Sequence, residues 1–246
     1  ASGSSRAGTT TPTSTPRPQV AEAAASAARA GRRLVLRFTR AERTLHWVFA
    51  LLFVVLLLSG LGLYLGPGLN PVLDRRDLMR TIHLDAAVAT VGLFLLVAAG
   101  SPGTLGRLRR DVEWFDRDDA RWLLLVWVPA FIRRRPLPPQ GRFNAGQKLN
   151  TVLTAAATVG FIVTGTLMYG GGHLPTSLSE ATDTWHLLLM AAIIPLVTGH
   201  LVIALLLPST RGAMRGILTG RVRLDFARRR HARWAETLDP EDSGAS

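Results

Sequence analysis

The sequence predicts an all-α fold, an integral membrane four-helix bundle with a cytoplasmic interfacial helix and a disordered N-terminal tail. Three observations lead to that class. The 246-residue chain is 48% apolar with mean hydropathy +0.22, and its apolar residues gather in four long runs nearly free of charge. Each run stops at Gly or Pro: Gly66-Pro67, Ser101-Pro102, Gly170-Gly171-Gly172 and Pro208. The basic residues behind the formal charge of +12 lie between the runs, not within them. A helix of about 20 apolar residues crosses roughly 30 Å of hydrocarbon, so each run is long enough to span.

Residues 1–30, "ASGSSRAGTTTPTSTPRPQVAEAAASAARA", carry almost no large apolar side chains. They cannot bury a core and are expected to be a disordered tail. The first span covers about 47–65, "WVFALLFVVLLLSGLGLYL", without a charge. No signal-peptide-like h-region precedes it, so this span is expected to direct insertion itself. The second covers about 83–100 and holds one acid, Asp85. The run "RWLLLVWVPAFIRRR", Arg121 to Arg135, is too short to cross, contains Pro129 and is bracketed by arginines. It reads as a helix lying in the interface with its tryptophans at headgroup depth. The third span covers about 149–170 and the fourth about 185–207, with Pro195 expected to kink the fourth. Residues 31–234 thus form one membrane domain, and 235–246 are expected to be a second disordered tail.

Arginine placement sets the orientation. Eight basic residues precede the first span, ten lie between Gly100 and Leu149, and eight follow the fourth span. The two remaining loops hold only Arg75, Arg76 and Arg80. By the positive-inside rule both termini and the middle loop are cytoplasmic, which makes this a multi-pass protein of the cytoplasmic membrane. The same bias explains the charge as a topology signal and a contact with anionic headgroups. Nucleic-acid binding is a poor reading, because the arginines are divided among three membrane-flanking segments. The absence of cysteine excludes disulfides, thiolate metal sites and iron–sulfur ligation by these residues.

The histidines carry the chemistry. His186 and His200 are fourteen residues apart, about 1400° of helical rotation and so nearly one face, with a rise of roughly 21 Å between them. His46 starts the first span at the cytoplasmic side and His83 starts the second at the outer side. Depth alone pairs His46 with His200 and His83 with His186. Two imidazoles from two helices, one to each face of a flat cofactor, suit a bis-histidine b-type heme in a bundle core. Gly60, Gly62, Gly165 and Gly199 would let a porphyrin approach the backbone. The competing readings are interfacial anchors, since a lone histidine near a headgroup often needs no ligand, and zinc. Zinc fares worse because four imidazoles split about 20 Å apart make two half-sites, and Asp85, close to His83, is a single acid and insufficient to complete one. His173 and His231 are expected to be solvated.

The stretch "RFNAGQKLN", Arg142 to Asn150, precedes the third span and contains Lys148, the only lysine. With "RFTRAERTLHW" before the first span, "VTG" at Val163 to Gly165, the His186/His200 spacing and the tail "GILTGRVRLDFARRRHARW", it resembles the membrane cytochrome b (gamma) subunit of respiratory formate dehydrogenases. The likeness covers about Arg37 to Trp234. It departs at Leu84, where that family commonly has proline, and at Arg230-His231-Ala232, where it has paired histidines. The resemblance implies two hemes b and a quinone site, for menaquinone or ubiquinone, lined by Asn144, Gly146 and Gln147 beside His200. It also implies an iron–sulfur subunit and a molybdenum- or tungsten-dependent catalytic subunit as partners, the latter performing the formate oxidation. Read without the resemblance, Asn144 is equally a helix N-cap for the third span. Two other functions fit the same sequence. One is the cytochrome b subunit of a nickel–iron hydrogenase or thiosulfate-type reductase, and the other is a heme-free polytopic transporter or scaffold.

Overall fold

The computed structural model describes residues 31–65, 75–113, 115–129, 132, 136–170, 173 and 175–238. The expected tail at 1–30 and residues 239–246 of the second lie outside these. Four helices are long and apolar enough to cross a membrane: α1 (Arg40–Leu65), α2 (Arg76–Gly100), and two more. Between α2 and the third span run two short helices, α3 (Pro102–Glu113) and α4 (Arg117–Leu125). The third span is α5 (Ala145–Tyr169) and the fourth is α6 (Thr176–Leu201), which continues as a π-helical turn over Val202–Leu206. A 3₁₀ turn (Pro208–Thr210), α7 (Arg211–Thr219), α8 (Leu224–Arg230) and α9 (Ala232–Ala235) complete the helices.

All four spans exist, and each helix starts four to nine residues before its apolar run. Hydropathy marks only the part of a helix at hydrocarbon depth; side-chain caps set the start of α1 and α5, while α2 and α6 begin without one. At α1, Thr39 N–H donates to Glu42 Oε2 at 2.8 Å and Glu42 N–H donates back to Thr39 Oγ1 at 3.3 Å, a reciprocal cap. At α5, Asn144 and Gln147 form the same box. At 25–26 residues each, the four α-helices reach about 38 Å, enough for the hydrocarbon and a turn at the headgroups. No more than 11% of any span's apolar window is buried within the chain, so most of each span faces outward, as in a multi-pass membrane protein.

The bundle is two hairpins. α1 packs along α2 and α5 along α6, while close backbone approach between hairpins is sparse. Phe49 of α1 meets Phe94 of α2 with ring centroids 5.5 Å apart. At the far end of α6, the turn carbonyls are satisfied by Thr210, whose Oγ1 lies 2.6 Å from Ile203 O.

Two regions differ from the sequence reading. The expected interfacial helix over Arg121 to Arg135 is instead α4, beginning at Arg117 and ending at Leu125. Asp116 and Asp119 start it with a capping box, and turns at 126–128 lead to Pro129, which cannot continue a helix. Residues 130, 131 and 133–135 lie outside the described structure. Second, the segments flanking the spans meet: β1 (Leu34–Leu36) pairs antiparallel with β2 (Arg221–Arg223), Val35 opposite Val222. Val35, Val222, Leu224 and Ala227 form a buried cluster, with Phe226, Trp234, Ala235 and Leu238 packed on it. Ordered packing therefore runs to Leu238, four residues into the segment expected as a tail.

Candidate heme and quinone sites

The structure brings the four span histidines together in the two pairs that depth suggests. The ring centroids of His46 (α1) and His200 (α6) are 6.5 Å apart with planes at 62°. Those of His83 (α2) and His186 (α6) are 6.3 Å apart with planes at 64°. This spacing fits a bis-imidazole iron. A metal–nitrogen bond of about 2 Å, with the ring centre about 1 Å behind each nitrogen, places two axial imidazoles about 6 Å apart. Zinc fits poorly: among the described residues no three histidines, cysteines or carboxylates gather to hold a metal.

Each imidazole of the His83/His186 pair also has a hydroxyl partner on the neighbouring helix of its hairpin. Ser59 Oγ of α1 lies 3.0 Å from His83 Nδ1, and Thr164 Oγ1 of α5 lies 2.7 Å from His186 Nδ1. Phe161 packs edge-on against His186 at 5.0 Å. In the other pair, His46 meets the Trp47 ring at 5.2 Å, and Trp47 Nε1 donates to Ile217 O at 3.3 Å, tying α1 to α7. Gly60 and Gly165 adjoin the His83/His186 pair, and a Cβ added at Gly199 would meet no neighbour within 4 Å.

Asn144, Gly146 and Gln147 sit at the start of α5. Asn144 Oδ1 accepts from Gln147 N–H at 2.9 Å, and Gln147 Oε1 accepts from Asn144 N–H at 3.1 Å. The capping role therefore exists, and it uses the side-chain oxygens of both amides. Gly146 stands against Trp122 of α4, where a Cβ would come within 3.3 Å of the indole. One turn on, Lys148 Nζ donates to Asp119 Oδ2 at 2.6 Å, with the two side chains 8% and 1% exposed. That buried ion pair locks α4 onto α5 and gives the sole lysine a structural task.

A network that the sequence reading missed surrounds this motif. Arg37, 2% exposed, donates from Nη2 to Arg142 O at 2.8 Å and to Gln147 Oε1 at 3.2 Å. Its Nε and Nη1 have no hydrogen-bond partner among the described residues, and its guanidinium carbon stands 5.0 Å from the Phe38 ring centroid. Burial, helped by the neighbouring Arg142 charge, lowers its pKa to about 10. Arg142 donates to Asp111 Oδ2 (from Nε, 2.8 Å), Arg37 O (2.9 Å) and Glu42 Oε1 (2.8 Å). Burial opposes its charge, but these carboxylates outweigh it and hold its pKa above the ordinary arginine value.

His231 corrects an expectation. It is 1% exposed, not solvated, with Nδ1 2.8 Å from Gly141 O and its ring beside Phe226 and Trp234. Burial first, then the Arg37 charge, pushes its pKa down to about 3. The signal was present: Leu224, Ala227, His231 and Trp234 repeat at spacings of three and four, the stripe of a packed helical face. Arg37 offered a fainter one, standing between the apolar "LVL" and Phe38. His173 is exposed, as expected.

Four membrane-length helices enclosing two imidazole pairs define a membrane cytochrome b architecture, and sequence comparison agrees. The chain belongs to the prokaryotic cytochrome b561 family, whose model matches residues 37–220. Membership implies heme b as cofactor. Among curated proteins it is similar to the formate dehydrogenase cytochrome b556 subunit of Haemophilus influenzae, 24% identical over 205 residues, covering 81% of this chain and 82% of the relative. It is also similar to the formate dehydrogenase cytochrome b556(fdo) subunit of Escherichia coli K12, at 23% identity over 81% and 91% of the two chains. The nitrate-inducible cytochrome b556(Fdn) subunit of the same organism is 19% identical over 86% and 94%.

Proposed function

We propose that this chain is the di-heme b-type membrane subunit of a respiratory formate dehydrogenase, carrying electrons from an iron–sulfur partner subunit to quinone. The observation that carries the reading is the pair of imidazole pairs, His46 with His200 and His83 with His186, each at axial-ligand spacing. Heme b, when bound, supplies reversible one-electron transfer. The chain's own contribution is to fix the ligands on helices of opposite hairpins and to keep the surroundings apolar. Formate oxidation belongs to a molybdenum- or tungsten-dependent catalytic partner, consistent with the names of the relatives and with the lack of cysteine here.

Quinone is received beside His200, at the start of α5. The capping oxygens of Asn144 and Gln147 are engaged, so their amide N–H₂ groups are the donors available for a quinone carbonyl. Gly146 lets the Trp122 indole of α4 close against this turn. The arginine distribution supports both termini and this site facing the cytoplasm.

The test is a dithionite-reduced minus oxidised spectrum of the purified chain with a pyridine haemochrome count. Two b-type hemes per chain are expected; a folded, colourless protein expressed with ample heme contradicts the reading.

A further inference from the structure

The outer histidines are seated by the same kind of dipeptide, a hydroxyl residue followed by glycine, on two different helices. Ser59-Gly60 on α1 adjoins His83, and Thr164-Gly165 on α5 adjoins His186. A Cβ at Gly60 would stand 3.2 Å from His83 Cε1, and one at Gly165 would stand 3.6 Å from His186 Cε1. In each seat the glycine lets the ring edge approach the helix, and the hydroxyl before it meets Nδ1.

The hydroxyls bias the tautomer. A serine or threonine hydroxyl has one proton to give and two lone pairs to offer. Ser59 gives its proton backward along its own helix, with Oγ 2.7 Å from Val55 O. Thr164 does the same, with Oγ1 2.7 Å from Gly160 O. Those carbonyls can only accept, so a hydroxyl that donates to its own helix presents only a lone pair to the imidazole. In that arrangement Nδ1 of His83 and of His186 carries the hydrogen. Nε2 is left with the lone pair on both rings, the state a metal ligand requires.

We propose that Ser59 and Thr164 are positioning residues of the outer histidine pair. They hold both imidazoles in the Nδ1–H tautomer and, by accepting those hydrogens, make them stronger electron donors, which lowers the midpoint potential of the heme they hold. This rests on reading the pair as heme ligands. Low potential suits the position where electrons would enter from the partner.

The test uses the purified complex carrying Ser59→Ala, Thr164→Val, both together, or Thr164→Ser. The readouts are heme stoichiometry, a potentiometric titration of the two b-type transitions, and the low-spin ferric EPR signals. In Ser59→Ala and Thr164→Val one midpoint should rise, further in the double variant, while the other stays in place. Thr164→Ser, which keeps the hydroxyl, should match the unaltered protein. If two hemes are present and neither midpoint moves, or if Thr164→Ser moves as far as Thr164→Val, the proposal is overturned while the di-heme reading stands. Should Thr164→Val lose one heme, retention in Thr164→Ser supports the hydroxyl's role, and loss in both overturns it. A wild-type complex without two hemes overturns the underlying reading itself.

Discussion

Lys148 and His231 show what burial does to a charge. Removing Lys148, as in Lys148→Met, leaves the Asp119 carboxylate buried without its partner and should destabilise the protein by about 3–5 kcal/mol. Breaking the exposed Arg233–Asp116 pair at 2.6 Å should cost only about 0–1 kcal/mol. Thermal unfolding of the two variants in one detergent compares them. His231 is neutral when folded and has a pKa near 3, against about 6.5 unfolded, so below pH 6.5 the unfolded state takes up the proton first. Stability is therefore complete above about pH 6.5 and falls by about 1.4 kcal/mol per unit as pH drops toward 3. Hydrogen exchange over 221–235 at pH 7 and pH 5 should show faster opening at the lower value, and His231→Gln should flatten that dependence. Asn144 caps α5 and, in the proposed reading, also donates to quinone; Asn144→Asp separates the two roles. The carboxylate keeps the N-cap oxygen but lacks the amide donor, so quinone reduction should fall while the unfolding midpoint holds. At this scale the sequence made the imidazole pairing legible, because fourteen residues on one helix determine face and depth. The seats of His231 and Arg37 were harder to see, since His231 read as solvated and both are buried only where β1 meets β2 and α8.

At the scale of elements, the spans were legible and their beginnings were not. Hydropathy finds the stretch that lies in hydrocarbon, whereas Thr39/Glu42, Asp116/Asp119 and Asn144/Gln147 decide where helices start. The β1–β2 pair escaped notice because each strand is three residues long and its partner lies far away in sequence. That pair depends on Gly220, which ends α7 with φ +84° and donates its N–H to Gly216 O at 2.8 Å. Its carbonyl in turn accepts from Arg37 N–H at 2.8 Å and Phe38 N–H at 3.0 Å. A Cβ there would lie 2.7 Å from Phe38 O. Gly220→Ala should thus cost at least about 1–3 kcal/mol from the left-handed backbone alone and loosen the cap over the α5 start. Faster limited proteolysis on both sides of β1 and β2 measures it.

For the whole molecule, two helical hairpins face each other across histidine pairs, and the β1–β2 pair joins the segment before α1 to the segment after α7. Its arginines predict that both ends lie in the cytoplasm. A fluorescent-protein fusion after Leu238 should fluoresce in cells, and an alkaline phosphatase fusion at the same point should be inactive; the reverse pattern would invert the topology. The central claim is narrower, that the four histidines serve as two pairs and not as four independent sites. The most direct measurement is the pyridine haemochrome count of His46→Ala, His200→Ala, the His46/His200 double variant and the His46/His83 double variant. The account predicts about one heme per chain for each of the first three and none for the last. Two hemes remaining in either single variant, or one remaining in the His46/His83 variant, would contradict it.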